Sequence, residues 1–480
     1  MKDMLRNSAL AKVALLVLIT IVLCIPLAQI RGLIDERGGS QLQAAHELAA
    51  SHAGPQVVVG PLLVMPYVER WTEVELNDKG QVKARIARSK PMTHLVFPEK
   101  VDLKGRMAPQ ERYRGIFKVL FYDLDGAWKG SFPAFDPAAL AHTEKDSTFE
   151  LQPPVFAFGL QDVRGIQGAP ALRLAGETAK FLPRIPGAAD GSWLARGIHA
   201  PVAGAALQAW ERREPVAFDM KMVIIGQERL SIAPLADETT THLTSTWPHP
   251  SFGGQFLAVQ RTVTDSGFEA SWAVSSLVSS ARKQILASQG GRDPRAAGAG
   301  QADALDSFDV TLAQPLNVYS QSTRAVKYGA LFVALVLMAA FMFELFKKLR
   351  LHPVQYALVG LAIALFFLLL LALSEKVEFW LAYTAAAGAS VLLLMVYFSA
   401  VLKGWKRGVS LAGYVALLYG TLYGLLASEN NALLLGALLL FGMLALLMIA
   451  TRRVDWYALS GRDSPAPMSG SMSTAVPASA

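Results

Sequence analysis

Between residues 327 and 453 the chain holds five apolar runs, Tyr328–Phe346, Val354–Leu373, Phe379–Leu402, Val409–Ala427 and Ala432–Ala450, each 19 to 24 residues long. A helix rises about 1.5 Å per residue, so each run is long enough to cross the roughly 30 Å hydrocarbon core of a bilayer. Lipid offers no partner to an unpaired N–H or C=O, which restricts such runs to helices. The gap after the first run carries Lys347, Lys348 and Arg350, and the gap after the third carries Lys403, Lys406 and Arg407. Arg452 and Arg453 follow the fifth, whereas the remaining two gaps hold Glu375, Lys376, Glu378 and Glu429. Basic residues gather on the cytoplasmic side, so this alternation orients the runs. The sequence reads as that of an integral membrane protein.

A sixth apolar run, Val13–Ile30, follows Lys2, Arg6 and Lys12. The same charge rule places the N-terminus in the cytoplasm and the chain after Arg31 outside. A cleaved signal peptide is the alternative for this run, but Pro26-Leu27-Ala28 is a poor small-residue cleavage site. A retained anchor is therefore expected. The fold class that follows is an α-helical transmembrane bundle of six spans with both termini inside, and a large β-rich antiparallel periplasmic domain between spans one and two. Its expected divisions are 1–30 (cytoplasmic N-terminus and anchor), 31–326 (periplasmic domain with a helical stalk), 327–453 (five-helix bundle) and 454–480 (disordered cytoplasmic tail).

The formal charge of +7 points to nucleic acid until it is divided by region. Residues 31–326 hold 31 basic and 31 acidic side chains, so the whole excess belongs to the membrane part and its flanks. It reflects topology rather than a phosphate-binding surface, and a nucleic-acid partner is excluded. The single cysteine, Cys24, sits inside the first run. Thiol catalysis, CxxC redox chemistry and cysteine-based zinc sites are thereby excluded from the exported region, and a domain of this size needs no disulfides to bury a core.

Leu33–Ser51 reads as a stalk helix with Leu42, Ala45, Leu48 and Ala49 on one face. From Gln56 the pattern turns to strands. Val57-Val58-Val59 closes at Gly60-Pro61, and Val74 and Leu76 pair with Val82, Ala84 and Ile86 across Asp78-Lys79-Gly80. Asp125-Gly126 is expected to turn between Val119–Leu124 and Ala127–Phe132. Alternation recurs in Val216–Met222, and Asp265-Ser266-Gly267 joins Val259–Val263 to Phe268–Val274. An antiparallel sandwich or partly closed barrel is expected. Ser275–Ser288 has a helix composition, Gly290–Asp306 that of a flexible loop, and Phe308–Leu312 that of a strand; Ser464–Ala480 is expected to be disordered.

No hydrolase, phosphate-loop or paired-histidine metal motif is present, and the histidines of the exported region are dispersed. No cofactor, metal site or catalytic residue is expected. Trp247-Pro248-His249-Pro250-Ser251-Phe252 is the most unusual exported segment. Two prolines fix its backbone, so Trp247, His249 and Phe252 are candidate partner-binding residues at low ordering cost; the competing reading is a rigid corner between strands. Asp162-Val163-Arg164-Gly165-Ile166 reads as a turn clamped by an Asp–Arg contact. In the membrane Glu344 is the candidate functional ionisable group, with local pairing to Lys347 and Lys348 the plainer account. Gly420-Thr421-Leu422-Tyr423-Gly424 is a GxxxG, read as packing within the bundle or as dimerisation.

Several of these segments together resemble the bacterial inner-membrane CreD family. They are Trp247–Phe252 with Gly267-Phe268 and Trp272, then Tyr319 with Arg324–Tyr328. Leu351–Tyr356, Leu358–Leu361, Leu369–Glu375, Ala400–Trp405 and Asp455-Trp456-Tyr457 complete the set, with Val59-Gly60-Pro61 and Arg164-Gly165-Ile166 in the exported half. The resemblance covers about residues 10 to 460. It implies a Gram-negative inner-membrane protein under two-component control, linked to envelope integrity, tolerance of a DNase-type colicin and β-lactam response. It implies no catalytic residue. The expected function is non-enzymatic: an envelope-stress protein, in contact with membrane lipid, whose periplasmic domain binds an envelope partner. The alternative is a carrier or flippase for a lipid or lipid-linked envelope precursor, and a periplasmic hydrolase would have to draw on His249 and Asp162.

Overall fold

The computed structural model describes residues 9–76, 82–140, 142–144, 146–289, 305–314, 318–347, 351–427 and 432–452. The turn expected at Asp78–Gly80, most of the Gly290–Asp306 segment, Lys348, Arg350, Glu429, Arg453, the Asp455–Tyr457 motif and the tail lie outside those residues. The chain divides into two compact units, Met1–Gly39 with Leu316–Ala480, and Ser40–Pro315. Helix α1 (Ala9–Ser51) contributes its first part to the helical unit and its last turns to the β unit.

Among the described residues the β unit holds two sheets. The first runs β14 (Pro250–Gly254), β17 (Phe308–Leu312), β12 (Arg229–Ile232), β1 (Gln56–Leu76), β6 (Val155–Leu160), β10 (Gly197–Pro201), β9 (Leu182–Pro183). Strands β2 (Val82–Val96) and β5 (Thr148–Leu151) pair with β1 as well. The second runs β15 (Gln260–Thr264), β16 (Gly267–Ser275), β13 (Glu238–Ser245), β3 (Lys100–Arg114), β4 (Phe117–Phe132), β11 (Val216–Gln227), β7 (Ile166–Leu174), β8 (Glu177–Ala179). Pairing is antiparallel except between β1 and β12 and between β13 and β3. Two short helices, α2 (Gly204–Glu211) and α3 (Ala281–Gln289), pack against the strands.

The sheets share one core. Trp272 of β16 stacks on Phe308 of β17 with ring centroids 5.1 Å apart, and Trp128 of β4 meets Phe158 of β6 edge-on at 5.4 Å. In β11 the alternation written in the sequence is kept, with Val216, Phe218, Met220, Met222 and Ile224 buried. The chain enters and leaves this unit at one end of the first sheet. There Gln56 opens β1 beside Leu230, and Leu312 closes β17 beside Pro250. Strand β1 then runs 21 residues away from that end.

Three local expectations are corrected. Strand β1 does not stop at Gly60-Pro61 but continues through a cis bond and a register shift between Val59 and Leu62. Asp125-Gly126 is no turn: β4 is continuous, and its hairpin partner β3 joins it through Gly115. Gly126 is there because the Trp128 ring lies over it, 2.4 Å from where a Cβ would stand. On the stalk, Ala45 and Leu48 pack on Val119, Phe121 and Ile225, while Leu42 points to solvent.

The helical unit continues with α4 (Val318–Lys327), α5 (Gly329–Lys347), α6 (Pro353–Ser374), α7 (Phe379–Val401), α8 (Trp405–Ala427) and α9 (Ala432–Thr451). Among the described residues four helices, α1, α6, α7 and α8, are long and apolar enough to cross a membrane. The α4–α5 pair, bent by 44°, makes a fifth if it is one span. Several motif residues shape these helices. His352 accepts from Val354 N–H while Gln355 accepts from His352 N–H, a reciprocal cap that starts α6 with Pro353 in its first turn. Lys403, at a φ of 51°, and Gly404 reverse the chain between α7 and α8, where Arg407 donates to Leu402 O at 3.1 Å. Gly360 admits Leu23 of α1, whose Cδ1 would lie 2.1 Å from a Cβ. By contrast a Cβ at Gly420 or Gly424 meets nothing within 4 Å, and both glycines are exposed. Among the described residues, then, the GxxxG is not a packing seam of this bundle.

Candidate functional site

One largely exposed element of the β unit is the ribbon formed by β1 and β2. Strand β1 has β5 as its other neighbour from Tyr67 to Arg70. Beyond Arg70, among the described residues, it pairs with β2 alone, up to Leu76 opposite Val82. From Val82 to Pro91 every β2 residue is exposed except the half-buried Ala84. Its outer edge has no strand partner among the described residues. A strand edge left open is uncommon, because its free N–H and C=O groups invite pairing.

The base of the ribbon is locked by a buried carboxylate. Glu69 has no accessible surface. It accepts from Thr143 N–H at 2.8 Å, Glu144 N–H at 3.2 Å and Ser147 Oγ at 2.7 Å, and from the Thr143 hydroxyl. The Thr143 and Ser147 hydroxyls are the chief cause holding its carboxyl down to about 2, against the opposing effect of burial. His142 Nδ1 lies 2.7 Å from Ser147 Oγ, extending the network. The ribbon therefore leaves the sheet at a fixed point.

Beyond that point the side chains are charged. Strand β2 carries Lys83, Arg85, Arg88 and Lys90 and no carboxylate. Lys83 pairs with Glu75 at 2.7 Å and Arg88 with Glu73 at 2.8 Å. Arg85 and Lys90 have no acidic partner among the described residues. Periodicity revealed the hairpin, but not that its outer edge stays open; the concentration of basic residues in one strand was the available signal.

The segment Trp247–Phe252 lies at the opposite, chain-link end of the sheet. The Trp247 indole donates to Ala313 O at 2.9 Å, and Ala313 N–H donates to His249 O at 3.1 Å. Phe252, in β14, packs edge-on to Phe268 and Trp272 at 5.6 and 5.8 Å. Trp247 and Phe252 are half-buried against the core, and His249 is the exposed member of the three. The geometry is that of a corner tied to the end of β17.

Asp162 is clamped by Arg164 as the spacing suggests, with Arg164 Nε 2.9 Å from Oδ1 and Nη2 2.6 Å from Oδ2. These contacts hold the Asp162 carboxyl below its ordinary value. Arg164 also donates to Ala49 O and Ala50 O, capping the last turn of α1. The buried Gln56 side chain ties the same turn to β11, donating to Asp162 O and Ile225 O at 3.0 Å each. A Cβ at Gly165 would stand 2.3 Å from Ile225 O, so the turn requires glycine. Asp162 is thus tied into the turn that meets the stalk, and among the described residues no contact joins it to His249. Among the described residues no cluster of three or more His, Cys, Asp or Glu side chains could hold a metal.

In the helical unit Glu344 is buried and engaged, but by remote residues. Lys12 of α1 donates to one carboxylate oxygen and Tyr356 Oη of α6 to the other, at 2.5 Å for the tyrosine. A second clasp joins Arg37 of α1 to Glu375 at 3.8 Å, and Tyr319 Oη donates to the same carboxylate oxygen at 3.2 Å. Lys12 and Arg37 are about 38 Å apart along a straight helix, so α1 is held to its neighbours at both ends of an apolar stretch.

These observations define a class: a polytopic membrane protein with a large two-sheet unit between its first helix and the rest. The chain belongs to the CreD family. The family model described as inner membrane protein CreD matches residues 8–457. The inner membrane protein CreD of Escherichia coli (strain K12) is 33% identical over 457 residues, covering 95% of this chain and 96% of its own. Solved structures align weakly. An M1 zinc metallopeptidase from Deinococcus radiodurans matches 37% of this chain and 38% of its own, at 8% identity and a TM-score of 0.20. A putative nutrient binding protein from Legionella pneumophila matches 49% and 82%, at 8% identity and a TM-score of 0.22. Likenesses at that level carry no argument about fold or function.

Proposed function

We propose that this inner-membrane protein is a cell-envelope integrity factor whose β unit lies in the periplasm and binds an envelope partner through the β1–β2 ribbon. The observation that carries this reading is the ribbon itself: anchored at Glu69, largely exposed beyond Arg70 and, among the described residues, without a strand partner along one edge. An isolated two-stranded ribbon gains little stability by itself, and a bare edge is a hazard, so its retention is accounted for by recognition. The basic flanks of the apolar runs support six spans with both termini in the cytoplasm. The chain links at Gln56 and Leu312 lie at one end of the first sheet, and the described part of the ribbon, up to Leu76 and Val82, lies toward its other end.

Photocrosslinking residues placed at Val74 and Arg85, both exposed, test this in living cells with mass spectrometry of the adducts. A discrete protein adduct from the ribbon is expected, with His249 at the other end of the sheet as the control position. Adducts restricted to lipid or glycan would overturn the reading in favour of a carrier for a lipid-linked precursor.

A further inference from the structure

We infer that β2 receives an acidic, extended segment of a second protein as an added strand. This rests on the ribbon being the binding arm and names the chemistry of its partner. Pro91 stands opposite Val68 and has no N–H to donate, which fits a position whose backbone faces away from β1. The register is unbroken from Pro91 to Arg85, so by alternation Arg85, Ala87 and Ser89 also turn their N–H and C=O groups to the open edge. Pro91 closes the row on the domain side. The open stretch therefore begins at Ser89 and runs toward the tip.

The side chains select the occupant. Lys83, Arg85, Arg88 and Lys90 line this stretch without a carboxylate in the strand, and Arg85 and Lys90 are uncommitted among the described residues. Such an edge repels a second copy of itself, and opposite charges directly across a strand pair are favourable. The four positions are separated by gaps of one, two and one residues. Lys83 is the extra residue at the register shift between Glu75 and Leu76, so carboxylates at a partner's third, sixth and eighth residues would face Arg85, Arg88 and Lys90, and one at its first would lie beside the shift. Main-chain hydrogen bonds would supply affinity and the charges specificity, as in other strand-addition complexes. The requirement for backbone N–H and C=O groups favours a polypeptide over an anionic lipid.

The test uses the full chain in detergent micelles and a fluorescent eight-residue peptide with Glu at those positions and Val or Thr between them. Saturable binding is expected. The Arg85→Glu, Lys90→Glu double variant should weaken it about tenfold. Ala87→Pro, which removes an outward N–H and leaves the charges, should abolish it, as should N-methylation of alternate peptide residues. Unchanged thermal unfolding of both variants checks the fold. Equal binding of a Gln-for-Glu peptide, or indifference to Ala87→Pro, would overturn the inference. So would capture of phosphatidylglycerol vesicles with no peptide binding, which would make anionic lipid the occupant. A protein crosslink from Arg85 without peptide binding would sink strand addition and spare the binding-arm reading; the lack of both would sink both.

Discussion

Glu69 shows how one residue fixes an element far longer than itself. Its carboxylate sits where β1 leaves its last neighbour, and the donors around it come from residues 143–147. Folding lowers its pKa from an ordinary value of 4.5 to about 2. Its contribution to stability is therefore fully present above the ordinary value and is lost as pH falls from there toward 2. Urea unfolding of the β unit should weaken across that window, and Glu69→Gln should remove this component of the pH dependence. The variant should also raise hydrogen exchange in β2 and residues 142–147; unaltered exchange would show that the cage does not lock the ribbon. At Glu344 the logic is that of a buried pair. Lys12→Met leaves the carboxylate with Tyr356, at a cost of about 2 kcal/mol once the partial exposure of Lys12 is discounted. Adding Glu344→Gln to Lys12→Met should recover part of that loss in thermal unfolding.

At the scale of elements, α1 is the piece whose packing decides most. It lies in Leu23 contact with Gly360 of α6 and in Leu27 contact with Gly329 at the head of α5. Gly360→Val would overfill a close-packed contact and should cost about 1–3 kcal/mol. Gly420→Val, on an exposed face with nothing within 4 Å, should leave the melting temperature of the solubilised protein nearly unchanged. Equal effects would mean that the α1–α6 contact is not formed. The elements differed in how legible they were. The helices could be read from length and apolarity, and β11 from alternation, because burial there follows the period of a single segment. The Asp125-Gly126 pair misleads because turn chemistry and the space under a Trp128 ring both select glycine, and only the second operates here. The Asp162–Arg164 clamp was readable because its partners are two residues apart. The Gln56 bonds that finish the same turn span 106 and 169 positions, and nothing local announces them.

For the whole molecule, the orientation proposed above has a direct check. In a Cys24→Ser background, Leu277→Cys lies on an exposed turn of the β unit and Lys403→Cys in the turn between α7 and α8. After the outer membrane is permeabilised, an impermeant maleimide should label Leu277→Cys at once and Lys403→Cys after the inner membrane is broken. The reverse order would invert the proposed topology. The amino-acid sequence by itself determined that this is a membrane protein with a large strand-rich insertion and, through its motifs, its family. Those properties follow from length, apolarity, charge bias and short-range pattern, all carried by contiguous residues. The tertiary structure alone decided that β2 has no outer strand partner among the described residues, that Glu344 pairs with Lys12 across 332 positions, and that Trp247 and Phe252 pack at the chain-link end of the sheet. Each depends on what distant segments place beside a residue, and an unpaired edge is defined by the partner strands that do not arrive.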